Sequence, residues 1–491
     1  MNMGLRTKLL KNTSYLTIGN QIGNLLQFLF FLYFARQFGE KIVGQYSFAF
    51  SFTFLLSVLA DLGLSAYLIR EVARDLSGNR QLFARCLILR LFFIAFFTLL
   101  AVVIVFSTSF PKETIRIILL LGLYQIFFSI ADVFLGEFKG HDRMGLVALL
   151  SIFLRFVISG AGIFLIMLRL DFLTVLYCFP VGSFIYLMAC IYFSLYYFKN
   201  VRPKFKRLNL RNLFIEMLPF TFTIIFVEVL HHQDILMLGF LQDDQAVGIF
   251  SAAHKIILAL LGVLFFVHTA LLPTFSSLYI ESQPKLIDLS KQWIRYLLLI
   301  GLPVATGLFA ISDKLILFLF SDSFKYSVDV LKILSWTIAL SFAAATYSVL
   351  LTAINRQTEK VIAIGTCLAF NFVLNLLLIP TLNYNGAATA KLMTEALHFI
   401  LMAYLVSKYL TSISVHKIFV KPALSCLSMY FVIQFLYQWN LIWLILISAI
   451  VYLVSLGIMR GYDKEEIEFV KRLYRKTFLN SEFFKTYICR K

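Results

Sequence analysis

Apolar residues in this chain run in blocks of about twenty, most without a polar face, the length a helix needs to cross roughly 30 Å of hydrocarbon. The blocks predict spans near 13–35, 45–69, 86–108, 114–137, 145–168 and 172–198. A second series follows near 213–240, 246–272, 292–312, 328–353, 360–380, 386–408, 419–437 and 441–459. Breakers such as Pro180, Pro219, Gly301 and Pro303 fall inside these blocks, where packed neighbours re-satisfy the backbone. The pattern predicts an all-α membrane protein of about 14 transmembrane helices.

The series repeats. Val43-Gly44-Gln45-Tyr46-Ser47 follows the first span, and Val247-Gly248-Ile249-Phe250-Ser251 follows the seventh, about 204 residues later. This predicts two pseudo-two-fold related six-helix bundles, 1–198 and 213–410, joined by a basic hinge at 199–212. Two extra helices and a basic tail at 411–491 complete the chain. Both bundles start on the same side, so the repeat is parallel, and such carriers bind substrate between their halves.

The offset serves as a ruler. Thr13, Thr17, Asn20, Asn24 and Gln27 share one face of the first span. The ruler carries Thr17 to Thr221, Asn24 to Glu228, Gln27 to His231, Ser51 to Lys255 and Asp61 to Phe265. Two facing polar walls result.

Charge sets the orientation. With the N-terminus inside, inner segments hold roughly 31 Lys and Arg and outer loops about 6. Both termini are therefore expected in the cytoplasm, with the first span retained as a signal anchor. The same asymmetry accounts for the net charge of +18 without nucleic acid. Charged residues make up 14% of the chain and hydrophobic ones 60%, which excludes an ordinary soluble domain. Six cysteines lack CxxC spacing, and His231-His232 lacks an HExxH pattern, so neither disulfides nor a metal is expected. Gly19 and Gly23 match the close-packing GxxxG pattern.

Ionisable groups within hydrocarbon face a cavity or a partner. The cavity candidates are Asn20, Asn24, Gln27, Ser51, Asp61, Arg155, Glu228, His231, Asp234 and Lys255. Lys255, with Arg155 as a further cation, suits an anionic headgroup; Glu228, His231, Asp61 and Asp234 suit sugar hydroxyls or a coupling proton. Structural alternatives stand beside these: a Lys391–Glu395 pair at a spacing of four, and a network of Asp61, Asp132 and Arg155. No outer loop is long enough for a folded domain, which weighs against a membrane glycosyltransferase or ligase. Asp243 and Asp244 are the one acid pair on an outer loop that such an enzyme could use.

Four motifs in order resemble the polysaccharide and O-antigen flippases of the multidrug/oligosaccharidyl-lipid/polysaccharide (MOP) exporter superfamily. They are Phe34-Ala35-Arg36-Gln37-Phe38-Gly39 with Val43-Gly44-Gln45-Tyr46, and Leu59-Ala60-Asp61-Leu62-Gly63-Leu64. The others are Asp234-Ile235-Leu236-Met237-Leu238-Gly239 with Val247–Ala253, and Asn371–Pro380 with Asn385-Gly386-Ala387-Ala388. The resemblance spans about 13–410 and implies a transporter rather than an enzyme, without a cofactor. It implies alternating access that moves an undecaprenyl-pyrophosphate-linked oligosaccharide outward across a bacterial inner membrane. The implied partners are that lipid-linked oligosaccharide, membrane lipids, and polymerase and chain-length proteins of one pathway. Coupling to H+ or Na+ is compatible with it. A cation-coupled multidrug exporter of the same superfamily is the alternative.

Overall fold

The computed structural model describes residues 3–74, 79–108, 110–198, 210–413, 415–459 and 461, with side chains placed from Gly19 onward except at a few helix-end and kink positions. The side chains of Thr13, Thr17 and Asn20, like most of the hinge and the basic tail, lie outside the described residues. Among the described residues the secondary structure is helical, with no strand.

The first helix, α1 (Met3–Asp61), contains an apolar stretch of 41 residues from Gln21. Straight, that stretch would reach about 60 Å, twice the hydrocarbon thickness. Gly39 prevents this: at φ 74° and ψ 179° it occupies a conformation open only to glycine, and the chain doubles back. Arms 3–38 and 40–61 are therefore two spans. Counting both arms, the 13 helices among the described residues that are long and apolar enough to cross a membrane supply the roughly fourteen spans predicted from the sequence.

The second arm continues through a break at Leu62 (φ 44°) and Gly63 (φ 75°) into α2 (Leu64–Arg74). The first bundle is completed by α3 (Asn79–Ser107), α4 (Lys112–Gly140) and α5 (Met144–Met167), then by the broken span of α6 (Phe172–Leu176) and α7 (Cys178–Tyr197). The second bundle begins with α8 (Leu210–Leu241) and α9 (Asp244–Leu261), where Asp243 caps the new helix by accepting from the Ala246 amide at 2.8 Å. After a break at Gly262 and Val263 come α10 (Leu264–Glu281), α11 (Gln283–Leu319), α12 (Ser327–Ala353), α13 (Gln357–Leu382) and α14 (Tyr384–Tyr409). The last pair, α15 (Val415–Phe435) and α16 (Leu441–Ile458), packs on α11. Tyr452 Oη donates to Leu299 O at 3.0 Å and Lys314 Nζ to Trp439 O at 2.8 Å, holding that pair in place.

The breaks correct the ruler. Helix α9 is four residues shorter than arm 40–61, so past this point the offset falls from 204 to 200. Leu62 answers to Gly262, and Asp61 to Leu261 rather than to Phe265. Four residues are one helical turn, so the loss shortens the span without turning its face.

Two charge networks hold the bundles, and neither is the pairing expected from spacing. In the first, Arg90 of α3 bonds Asp61, lies 3.9 Å from Asp132 and donates to Ser129 O at 3.2 Å. Ser65 Oγ bridges both acids at 2.6 and 2.7 Å. Arg90 fills the place expected for Arg155, because α3 faces the break at Leu62 while Arg155 sits on α5 against Gly23. In the second, Lys391 reaches across to α8, 3.7 Å from Asp234 and 2.9 Å from Leu230 O. Asn371 and Asn375 donate to the same Asp234 oxygen at 3.1 and 2.8 Å. Glu395 is left to His398 at 3.8 Å and Ser341 at 3.1 Å. The long lysine side chain gains a fully buried carboxylate that a partner on its own helix does not offer.

Removing one member of a buried ion pair strands the other. Arg90→Leu should lower unfolding stability in detergent by about 3–5 kcal/mol. Adding Asp61→Asn should restore a substantial part of that loss; thermal unfolding of both purified variants checks it.

Candidate functional site

The two copies of the Val-Gly motif meet each other. A methyl built on Gly44 would lie 1.6 Å from Asp244 O, and one on Gly248 would lie 1.8 Å from Glu40 O. Arm 40–61 and α9 therefore cross backbone to backbone, where only glycine fits. Each crossing turn also reaches its opposite: Gln45 Nε2 donates to Asp244 at 3.0 Å, and Gln245 Nε2 to Glu40 at 2.6 Å. The acid pair considered for enzymatic chemistry is thus used in a helix cap and in a bond between bundles. Nearby, Arg36 Nε donates to Leu319 O at 2.8 Å and Phe320 O at 3.0 Å, satisfying the end of α11 from the other bundle.

A second contact lies toward the other end. Thr221 Oγ1 donates to Leu62 O at 2.5 Å, and Gln21 Nε2 to Gly262 O at 3.2 Å. The two carbonyls correspond under the 200-residue offset, and the two donors stand one turn apart in the 204-residue register of the first spans, matching the one-turn difference between the breaks. In each, the first span of one bundle satisfies the carbonyl exposed by the helix break in the other. Such a carbonyl has no water to turn to within hydrocarbon.

Lys255 lies seven residues from Gly248 and seven from Gly262, so it stands about 10 Å along α9 from each contact. Around it the second bundle gathers cationic and ionisable groups. His254 is buried and feels Lys391, His231, His232 and Lys255. The groups acting on His231 are Lys391, Glu395 and His398. Among the described residues no carboxylate pairs with Lys255, whose ammonium lies 5.3 Å from the ring centroid of Phe31 in the first bundle. On arm 3–38, Asn24 is exposed and Gln27 half-exposed, seven and four residues before Phe31 and so on the same helical face.

Of the residues singled out in the sequence, Lys255 and His231 fall in the cluster, and half-exposed Glu228 lies on the same helix as His231. Ser51 is buried, with His232 Nδ1 3.0 Å from its hydroxyl across the two bundles. Asp61 and Asp234 are held by Arg90 and Lys391, so neither carboxylate is open to a ligand in this conformation. Arg155 stays in the first bundle, packed over Gly23 and interacting with Tyr124 and Tyr186. His254 was absent from the sequence reading, His232 entered it only as half of a rejected metal motif, and Lys391 only as a partner for Glu395. The usable signal was adjacency, since His232 follows His231 and His254 precedes Lys255.

The site is therefore a region of interface bounded at both ends by symmetric contacts between bundles. One wall is cationic and imidazole-rich, the other neutral and polar. It suits an anion bearing hydroxyl groups.

Several solved structures of similar fold are described as flippases or transporters. One described as the lipid II flippase MurJ in an inward closed conformation aligns over 90% of this chain and 98% of its own, with TM-score 0.71 and 18% identity. An inward-facing multidrug resistance MATE family transporter of the MOP superfamily aligns over 79% and 95%, with TM-score 0.61 and 14% identity. A MOP superfamily transporter from Pyrococcus furiosus aligns over 81% and 96%, with TM-score 0.58 and 15% identity. In sequence, the chain is 24% identical over 410 residues to the probable low-salt glycan biosynthesis flippase Agl15 of Haloferax volcanii, covering 82% of this chain and 84% of the relative. Residues 9–279, more than half of the chain, match the pattern of the polysaccharide biosynthesis protein family. With that match over a fold of MOP transporter type, the chain belongs to the polysaccharide biosynthesis protein family.

Proposed function

We propose that the protein is a flippase for lipid-linked oligosaccharides and works by alternating access between the two bundles. The observation that carries this reading is the wall around Lys255 between the two interbundle contacts, set against Phe31 on the helical face that also carries Asn24 and Gln27. A pyrophosphate headgroup takes its charge-assisted bonds from Lys255 and the neighbouring imidazoles, and sugar hydroxyls bond the amides. With the termini in the cytoplasm, as the loop charges imply, the Gly44–Gly248 crossing closes the outer side. Transport then runs from the cytoplasmic to the outer leaflet of a bacterial inner membrane. Undecaprenyl pyrophosphate is the proposed carrier, the cargo is an O-antigen or other surface-polysaccharide unit, and the polymerase and chain-length proteins of that pathway act next. A multidrug exporter of organic cations fits less well, because the acids Asp61 and Asp234 are already held by buried cations.

Cells lacking the protein, and any redundant flippase, should accumulate lipid-linked units on the cytoplasmic leaflet; normal appearance at the outer face would overturn the reading. Lys255→Ala should reduce transport at least about ten-fold at unchanged membrane abundance. In proteoliposomes, collapsing the H+ and Na+ gradients separately identifies the coupling ion. Protons are the expected one, through His231, His232, His254, Glu228 and Glu395, with Lys255, Lys391 and His398 as the other facing charges. Gly44→Leu should prevent closure at the crossing, so a cysteine pair at 45 and 244 should cross-link in the parent and fail to do so in this variant.

A further inference from the structure

Arm 40–61 has a second side. Gly44, Phe48 and Ser51 face the other bundle, while Thr53 and Ser57, on the opposite face, line a cavity of about 320 Å³ closed by α3 and α4. This cavity is separate from the interface between the bundles, and its rim carries the exposed apolar residues Phe106, Leu119 and Leu123. Side chains of that kind on membrane-spanning helices abut hydrocarbon, so the cavity is reached from within the bilayer.

The cavity lining is not wholly apolar. Gln125 is 4% exposed, and among the described residues neither its amide nitrogen nor its amide oxygen has a partner. The Ser129 hydroxyl beside it is buried and unpartnered as well. An unpaired amide in hydrocarbon costs several kcal/mol, which points to a ligand that answers it. Gln125 lies thirteen residues past Lys112 and fifteen before Gly140, at the middle of its span. A charged headgroup does not settle at that depth. The amide both donates and accepts, and so does a hydroxyl, whereas an ether or ketone only accepts.

We infer that this cavity is a lateral site for an uncharged, membrane-dissolved lipophile with a terminal hydroxyl, such as a long-chain alcohol. The hydroxyl bonds Gln125 and Ser129, and the hydrocarbon body leaves past Phe106 and Leu119. A bound molecule bears on the arm that carries the Gly44 crossing, from the side away from the substrate. The site stands apart from the transport reading, so the failure of one leaves the other intact.

The test uses the full chain in phosphatidylcholine vesicles with a long-chain alcohol bearing a photoreactive diazirine, and its methyl ether as the control. The alcohol should label peptides of α3 and α4, and unlabelled alcohol should compete. Gln125→Leu should reduce labelling about five-fold, since it removes the bond but not the space. Gly122→Leu should reduce it as well by filling the space; a methyl there meets only Thr53 Cγ2, at 3.9 Å, so the bundle accommodates the change. Equal labelling by the ether, labelling spread along all lipid-facing helices, or no response to both substitutions would each overturn the assignment.

Discussion

Two peptide backbones approach so closely at Gly44 and Gly248 that no side chain fits between them, and the rest of the interface is built around that approach. The contact lies on the pseudo-two-fold axis, so the requirement falls equally on both copies. That is why the Val-Gly motif recurs in both halves of the sequence. Four residues before each glycine stands an acid, Glu40 or Asp244, held by a glutamine from the other bundle. Seven residues past Gly248, the same helix presents Lys255 to the first bundle.

The second constraint comes from the solvent. A helix broken within a membrane exposes a carbonyl that water cannot satisfy. Both second spans are broken, at Leu62 and at Gly262, and each carbonyl takes its bond from the first span of the opposite bundle. The bundles are coupled at these points because each completes the other's backbone. Parting them exposes two carbonyls at once, so separation on that side has to admit water or substrate to take over the bonds.

Fourteen spans were legible because hydrocarbon thickness imposes one length on every helix. The repeat was legible because the axis imposes one residue on two positions. Charge pairing was not. Lys391 and Glu395 share a helical face, yet a lysine side chain is long enough to leave its own helix for Asp234, and sequence spacing carries no information on the rotation of neighbours. Arg90 and Arg155 both lie in apolar spans of the first bundle, and only the packing of α3 against the break at Leu62 decides which meets Asp61. The one-turn shortening of α9 was hidden for a different reason. Losing four residues keeps every face pointing the same way, so the periodic signal is unchanged while the correspondence shifts.

The distribution of charge follows from these pairings. Asp61 is committed to Arg90 and Asp234 to Lys391, so the cations facing the interface are Lys255 and the histidines, with Glu228 and Glu395 as acids on their own bundle. The first bundle answers with amides instead of carboxylates, at Asn24 and Gln27. A carboxylate there would pair with Lys255 and hold the bundles together in every state. A neutral wall avoids that. On the transport reading, the anionic headgroup supplies the counter-charge that the first bundle does not, and it leaves with no ion pair between the bundles waiting to replace it. A carrier that must release its cargo on the far side benefits from this asymmetry, because the cationic wall stays on one bundle while the other is free to move away.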